Sequence, residues 1–236
     1  MDLYALRGIL GGLSGNLSPQ GILLWALQLL VLFFSISCHE YAHAKAAHKL
    51  GDDTAFRLGR LTINPLAHIE PIGLLFMLFA PVGWMKPVPV DPSRFTVQGR
   101  LRRYGFQLVA AAGPAMNLVI AFIANIVLHL LPFTISNAQM TDGTFLLFQF
   151  FSMMVLSNIY LAAFNLLPVP PLDGFNIYGG FLPERVQQIV RANMHYISLA
   201  LFFLLWVPGN PLTRILSTIA QGVLYVFNAP LRLLGL

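Results

Sequence analysis

Cysteine is all but missing from this chain of 236 residues: Cys38 stands alone, so no internal disulfide can form. Charge is scarce as well. Only 10% of residues are charged, where soluble domains run nearer a quarter. The chain lacks a cleavable signal-peptide pattern at its start, because residues 1–19 are mildly apolar and broken by Gly-Gly and Ser-Gly. It also lacks any nucleic-acid motif, and its net charge of +5 does not form a free basic face. Nine of the 14 Lys and Arg residues fall between Lys45 and Arg103, whereas residues 133–143 have none. Such asymmetry between apolar runs marks membrane topology rather than binding to RNA or DNA.

What is present is apolar: 57% of the chain is hydrophobic and gathered in long runs. Residues 21–50 read as one helix, ended by Gly51 and two aspartates. A helix of ~30 residues rises ~45 Å, more than a ~30 Å hydrocarbon core, so its last turns reach the headgroups. Residues 72–82 form an apolar piece too short to cross, and a re-entrant or hairpin element is expected there. A second span covers 104–131, with a kink or break expected at Gly113-Pro114. A third covers 145–167 and stops at Pro168. Residues 168–191 read as a loop. Two further apolar stretches, 196–207 and 212–224, form either a helical hairpin or one broken span. If the basic loop lies inside, the C-terminal ends of spans one and three share the cytoplasmic side.

The chemistry is concentrated in those two ends. His39-Glu40-Tyr41-Ala42-His43 is an H-E-x-x-H on an expected helix. Positions i and i+4 share a helix face, so two imidazoles can reach one zinc ion, with Glu40 beside them as base rather than ligand. A hydrolytic zinc site usually has a third protein ligand and an open position. Asp173 is the best candidate, the only acid between Thr144 and Pro183, in a proline-rich stretch that cannot be regular helix. A plain Leu-Asp-Gly turn is the competing reading.

Together, HEYAHAKAAHKLGD (39–52), GRLTINPLAHIEPIG (59–73), AAGPAMN (111–117) and NLLPVPPLDG (165–174) resemble the site-2 protease family of intramembrane zinc metalloproteases, in its compact form. The resemblance covers roughly residues 20–180. It implies an all-α polytopic membrane protein: three core transmembrane helices carrying the zinc site, a short re-entrant element and accessory C-terminal helices at about 195–228. Residues 1–236 then form a single membrane-embedded metalloprotease domain. His39, His43 and Asp173 match the family's ligands to one Zn2+ per chain, and Glu40 matches its general acid/base, acting on zinc-bound water. Asn117 and Asn165 match asparagines that would hold substrate backbone or the developing oxyanion, though interhelical hydrogen bonding is an alternative for both. His68 is auxiliary at most, a substrate-positioning group or a polar loop residue. The implied reaction is hydrolysis of a peptide bond within or near the transmembrane segment of a single-span membrane protein. The implied place is a bacterial cell membrane, with the site near the cytoplasmic face. No interval is long enough for an inserted PDZ-like domain, so gating falls to 72–82 and its flanks, or to an edge there that pairs with extended substrate. A membrane zinc transporter or sensor and an inactive membrane scaffold are the alternatives.

Overall fold

The computed structural model describes residues 18–79, 84–135, 142–207 and 209–233. Helices α1 (Pro19–Lys49), α2 (Thr54–Arg57), α3 (Pro71–Phe79), α4 (Gly99–Ile135), α5 (Asp142–Asn165), α6 (Asp173–Gly179), α7 (Glu184–Ala192), α8 (Met194–Trp206) and α9 (Pro211–Leu233) follow in chain order. There is no β-strand among the described residues. The helices α1, α4 and α5 are each long and apolar enough to cross a bilayer; α7 and α8, bent by 67° against each other, have together the length and composition of a broken span or a re-entrant loop.

Local chemistry sets the ends of α1. The Ser18 hydroxyl accepts from the Gly21 N–H at 3.1 Å, and Pro19 takes the first turn, where no donor is needed. At the far end the Gly51 N–H donates to the His48 carbonyl and the Asp52 N–H to the Ala47 carbonyl, both at 3.0 Å. That pairing satisfies the last carbonyls and needs a left-handed residue, which Gly51 supplies with φ +108°. Asp52 is then fully buried. Its carboxylate accepts from the Thr54 N–H at 2.9 Å and from the Asp91 N–H at 2.7 Å. The end of α1 is thus tied to the chain that returns after α3.

The core is the three-helix packing of α4 against α1 and α5. Val31, Ala121, Ala124, Met153, Met154, Val155, Ile159 and Ala220 are buried along it. Alanine is frequent at these contacts because small side chains let membrane helices approach closely. The C-terminal helix α9 lies on α5, and the Asn125 amide nitrogen donates to the Asn228 side-chain oxygen at 2.9 Å, joining α4 to α9. A second apolar cluster of Ala47, Leu50, Phe95 and Val109 packs at the basic end.

Several expectations shift. There is no break at Gly113-Pro114: α4 runs through both residues, with Pro114 almost wholly buried. Residues 168–191 are not simply a loop, since they contain α6 and α7. The apolar piece at 72–82 is helical as far as Phe79, and the flank 84–91 has no regular secondary structure. The early segment 1–17 lies outside the described residues, as do 80–83 and residues 136–141 of the loop expected at 133–144.

Candidate metal centre

His39 and His43 stand one turn apart on α1, both buried, with their Nε2 atoms 3.0 Å from each other. Their other ring nitrogens are anchored. Nδ1 of His43 lies 2.7 Å from the carbonyl of Val109 on α4. A main-chain carbonyl only accepts, so that Nδ1 carries a proton. Nδ1 of His39 lies 2.6 Å from Oδ1 of Asn117, also on α4. Both rings therefore turn Nε2 toward the same point.

Asp173 arrives from the other end of the chain. After α5 ends at Asn165, the proline-rich stretch folds back and α6 begins at Asp173. Gly174 makes the return possible, because a Cβ there would overlap the carbonyls of Leu166 and Leu167. Asp173 Oδ2 comes to 3.1 Å from His39 Nε2 and 3.2 Å from His43 Nε2. The three ligand atoms lie within 4.8 Å of one another. Burial opposes ionisation of this carboxyl, but the two imidazoles beside it, when they carry protons toward it, outweigh burial and hold it down to about 2. It is a carboxylate at neutral pH.

These residues fit a zinc ion. Three electron-rich atoms converge in a buried place, and only positive charge among them relieves their repulsion. Asp173 Oδ2 has no hydrogen-bond partner of its own. On the side of α4 the wall is Gly113, where a Cβ would intrude on Nε2 of both histidines. Two imidazoles and one carboxylate, with a fourth position left for solvent or substrate, form a donor set typical of catalytic zinc.

Glu40 is half-buried and is not one of the three. Its Oε2 accepts from the Val88 N–H at 2.7 Å, so the stretch 84–91 runs past this carboxylate. The same stretch is held by the Lys86 N–H donating to the His68 carbonyl at 2.7 Å and by Arg60 donating to the Pro87 carbonyl at 2.9 Å.

The remaining expected residues are not among the three converging ligands. His68 is fully buried, its Nε2 2.9 Å from the Thr62 carbonyl, and is not grouped with the other two histidines. Asn117 is no free oxyanion donor. Its oxygen is taken by His39, and its nitrogen donates to Asn158 Oδ1 at 2.8 Å and to the Ser35 carbonyl at 3.4 Å. Asn165 donates to the Leu161 carbonyl one turn back at 3.0 Å. Sequence reasoning passed over Gly113, Val88, Ser35 and Asn158. The last two carried a readable signal, as polar residues inside apolar runs.

Comparison with known proteins agrees with this geometry. The family described as Peptidase family M50 matches residues 131–208. The Bacillus subtilis protein named "Putative zinc metalloprotease YwhC" is 36% identical over 203 residues, covering 85% of this chain and 90% of its own length. "Putative zinc metalloprotease Rip2" of Mycobacterium tuberculosis H37Rv is 28% identical over 213 residues, 87% of this chain and 76% of that protein. "Zinc metalloprotease MJ0392" of Methanocaldococcus jannaschii is 28% identical over 186 residues, covering 77% of this chain and 43% of that one. No solved structure matches the chain significantly. With a relative of that identity covered over nearly its whole length, the chain belongs to peptidase family M50, the site-2 protease family of zinc metalloproteases.

Proposed function

We propose that this zinc metalloprotease hydrolyses a peptide bond within or near the transmembrane segment of single-span membrane proteins, at the cytoplasmic side of a bacterial membrane. The observation that carries the reading is the meeting of His39, His43 and Asp173 within 4.8 Å, with Glu40 next to His39 on the same helix. His39 and His43 would hold the ion through Nε2 and Asp173 through Oδ2. Bound there, zinc supplies a Lewis acid and lowers the pKa of a coordinated water toward ~7. Glu40 takes the proton from the attacking water and hands it to the leaving amine, a task worth roughly 10²–10⁴ in rate. The Val88 N–H holds the Glu40 carboxylate in place for both transfers.

The whole chain acts as a single membrane-embedded domain. The cytoplasmic placement is supported by the basic residues that surround the C-terminal end of α1. Asn165, at the end of α5 and eight positions before Asp173, is the better placed of the two asparagines to meet substrate backbone, since one end of its amide has only a bond within its own helix.

The test is incubation of the purified wild type and Glu40→Gln with a panel of tagged single-span proteins, with and without a zinc chelator. The wild type is expected to cut at least one of them. Glu40→Gln is expected to lose at least ~10²-fold in rate while still holding one zinc per chain. Chelation should stop the wild type and added zinc should restore it. A zinc-loaded wild type that moves zinc across vesicles and cuts nothing in the panel would replace the protease reading with a transporter.

A further inference from the structure

A continuous chain of buried amide and hydroxyl groups links all three core helices to one metal ligand. It begins at the carbonyl of Met154 on α5, which accepts from Nδ2 of Asn158 at 2.8 Å. The same Nδ2 donates to Oγ of Ser35 on α1, also at 2.8 Å. Oδ1 of Asn158 then accepts from Nδ2 of Asn117 on α4 at 2.8 Å, and Oδ1 of Asn117 faces Nδ1 of His39 at 2.6 Å. Ser35, Asn117 and Asn158 are all fully buried.

Each step fixes the next. The Met154 carbonyl has lone pairs only, so the nitrogen end of Asn158 must face it. The oxygen end of Asn158 is then committed to Asn117, which must answer with its nitrogen. A second carbonyl, that of Ser35 at 3.4 Å from the same nitrogen, agrees. The oxygen of Asn117 is left for His39, and an oxygen can only accept. Nδ1 of His39 therefore carries the proton, and the lone pair sits on Nε2, the atom that faces Asp173 and His43. With Asn117 turned over, its NH2 would meet a bare Nδ1 and the ring proton would move to Nε2, where it would exclude a metal.

We propose that Asn158 is a positioning residue of the zinc site, acting through Asn117 to set which nitrogen of His39 is free to bind metal. This rests on the zinc-site reading above and extends it: a residue on a third helix, touching neither metal nor ligand, selects the ligand's tautomer. Interhelical packing alone would also explain a buried asparagine in a membrane bundle. The two accounts differ when Asn117 no longer has two different ends. An aspartate at 117 accepts from His39 whichever way it is turned, so nothing remains for Asn158 to orient.

The experiment is a double-mutant cycle on the full chain in detergent, with Asn158→Leu, Asn117→Asp and the pair together. Zinc affinity is read by chelator competition. The His39 tautomer of the metal-free protein is read by 15N NMR of labelled histidine. Asn158→Leu should weaken zinc binding about 10–100-fold, the usual effect of losing a group behind a ligand, and should turn His39 from Nδ1-protonated to a mixture. In the Asn117→Asp background the same Asn158→Leu change should cost no further affinity and leave His39 Nδ1-protonated. An equal loss in both backgrounds, or an unchanged tautomer in Asn158→Leu, overturns the proposal. A tautomer shift in a chain that bound no zinc even as wild type would uphold the relay and remove the zinc-site reading instead.

Discussion

Gly113 shows how a single missing side chain shapes the site. Inside a helix, alanine is better than glycine by about 1 kcal/mol, so Gly113→Ala should favour α4 taken alone. The added Cβ, however, would meet Nε2 of both His39 and His43. Gly113→Ala is expected to fold and to lose most of its zinc, shown by metal content per chain beside circular dichroism. His39, Glu40 and His43 were legible in the sequence because helical spacing alone puts the two histidines on one face. Asp173 was legible only as a candidate, since spacing cannot distinguish a ligand from a turn. For Asn117 the sequence left substrate contact and interhelical bonding open, because what engages its amide belongs to other helices: His39 and Ser35 on α1 and Asn158 on α5. No pattern along one segment reveals such a partnership.

Among the segments, the irregular stretch 84–91 does most to complete the site. It is bonded to Glu40 on α1, to Asp52 just past the end of that helix and to His68 in the turn at 65–68. Its N–H groups at Lys86 and Val88 turn toward the protein, while Pro87 and Pro89 between and beyond them have none to offer. Val88→Pro removes the donor that holds Glu40. It should lower kcat by roughly 10-fold with zinc content and KM nearly unchanged, whereas Val88→Ala, which keeps the N–H, should match the wild type in steady-state kinetics; the ~10-fold figure is that of one hydrogen bond to a charged group, ~1.5 kcal/mol. The spans themselves were readable because long apolar runs leave few alternatives. The short α6 was not, as seven residues beginning at Asp173 are held by their docking on α4 rather than by their own propensity. The unbroken course of α4 was hidden for a similar reason: proline weakens an isolated helix, but neighbours packed on both sides can hold it.

For the molecule as a whole, the metal centre requires that the C-terminal end of α1 and the N-terminus of α6 share one side of the membrane. Span parity gave that arrangement before any contact was known, because α4 leaves and α5 returns. It is checked in a Cys38→Ala background by adding Asp53→Cys or Arg185→Cys and labelling intact cells or oriented vesicles with a membrane-impermeant thiol reagent. Both positions are expected to react from the cytoplasmic side only. The placement of α8 and α9 was left open by the sequence, since neither is at once long and apolar enough to cross by itself, and packing on α5 decides the position of α9.

His39 and Asp173 are separated by most of the chain yet meet at one point, which makes a bound cation a clasp as well as a reagent. Closing a loop of that length has an entropic cost, and an ion that binds only the closed form offsets it by mass action. Stripping the ion should therefore loosen the segment from the end of α5 through α6 well before it disturbs the three long helices. Limited proteolysis in detergent should show this as new cuts within 166–183 after chelation, suppressed again on adding zinc, while the rest of the chain stays resistant. An enzyme built this way would lose its grip on metal and its local order together, and the nicked chain would be a record of zinc shortage.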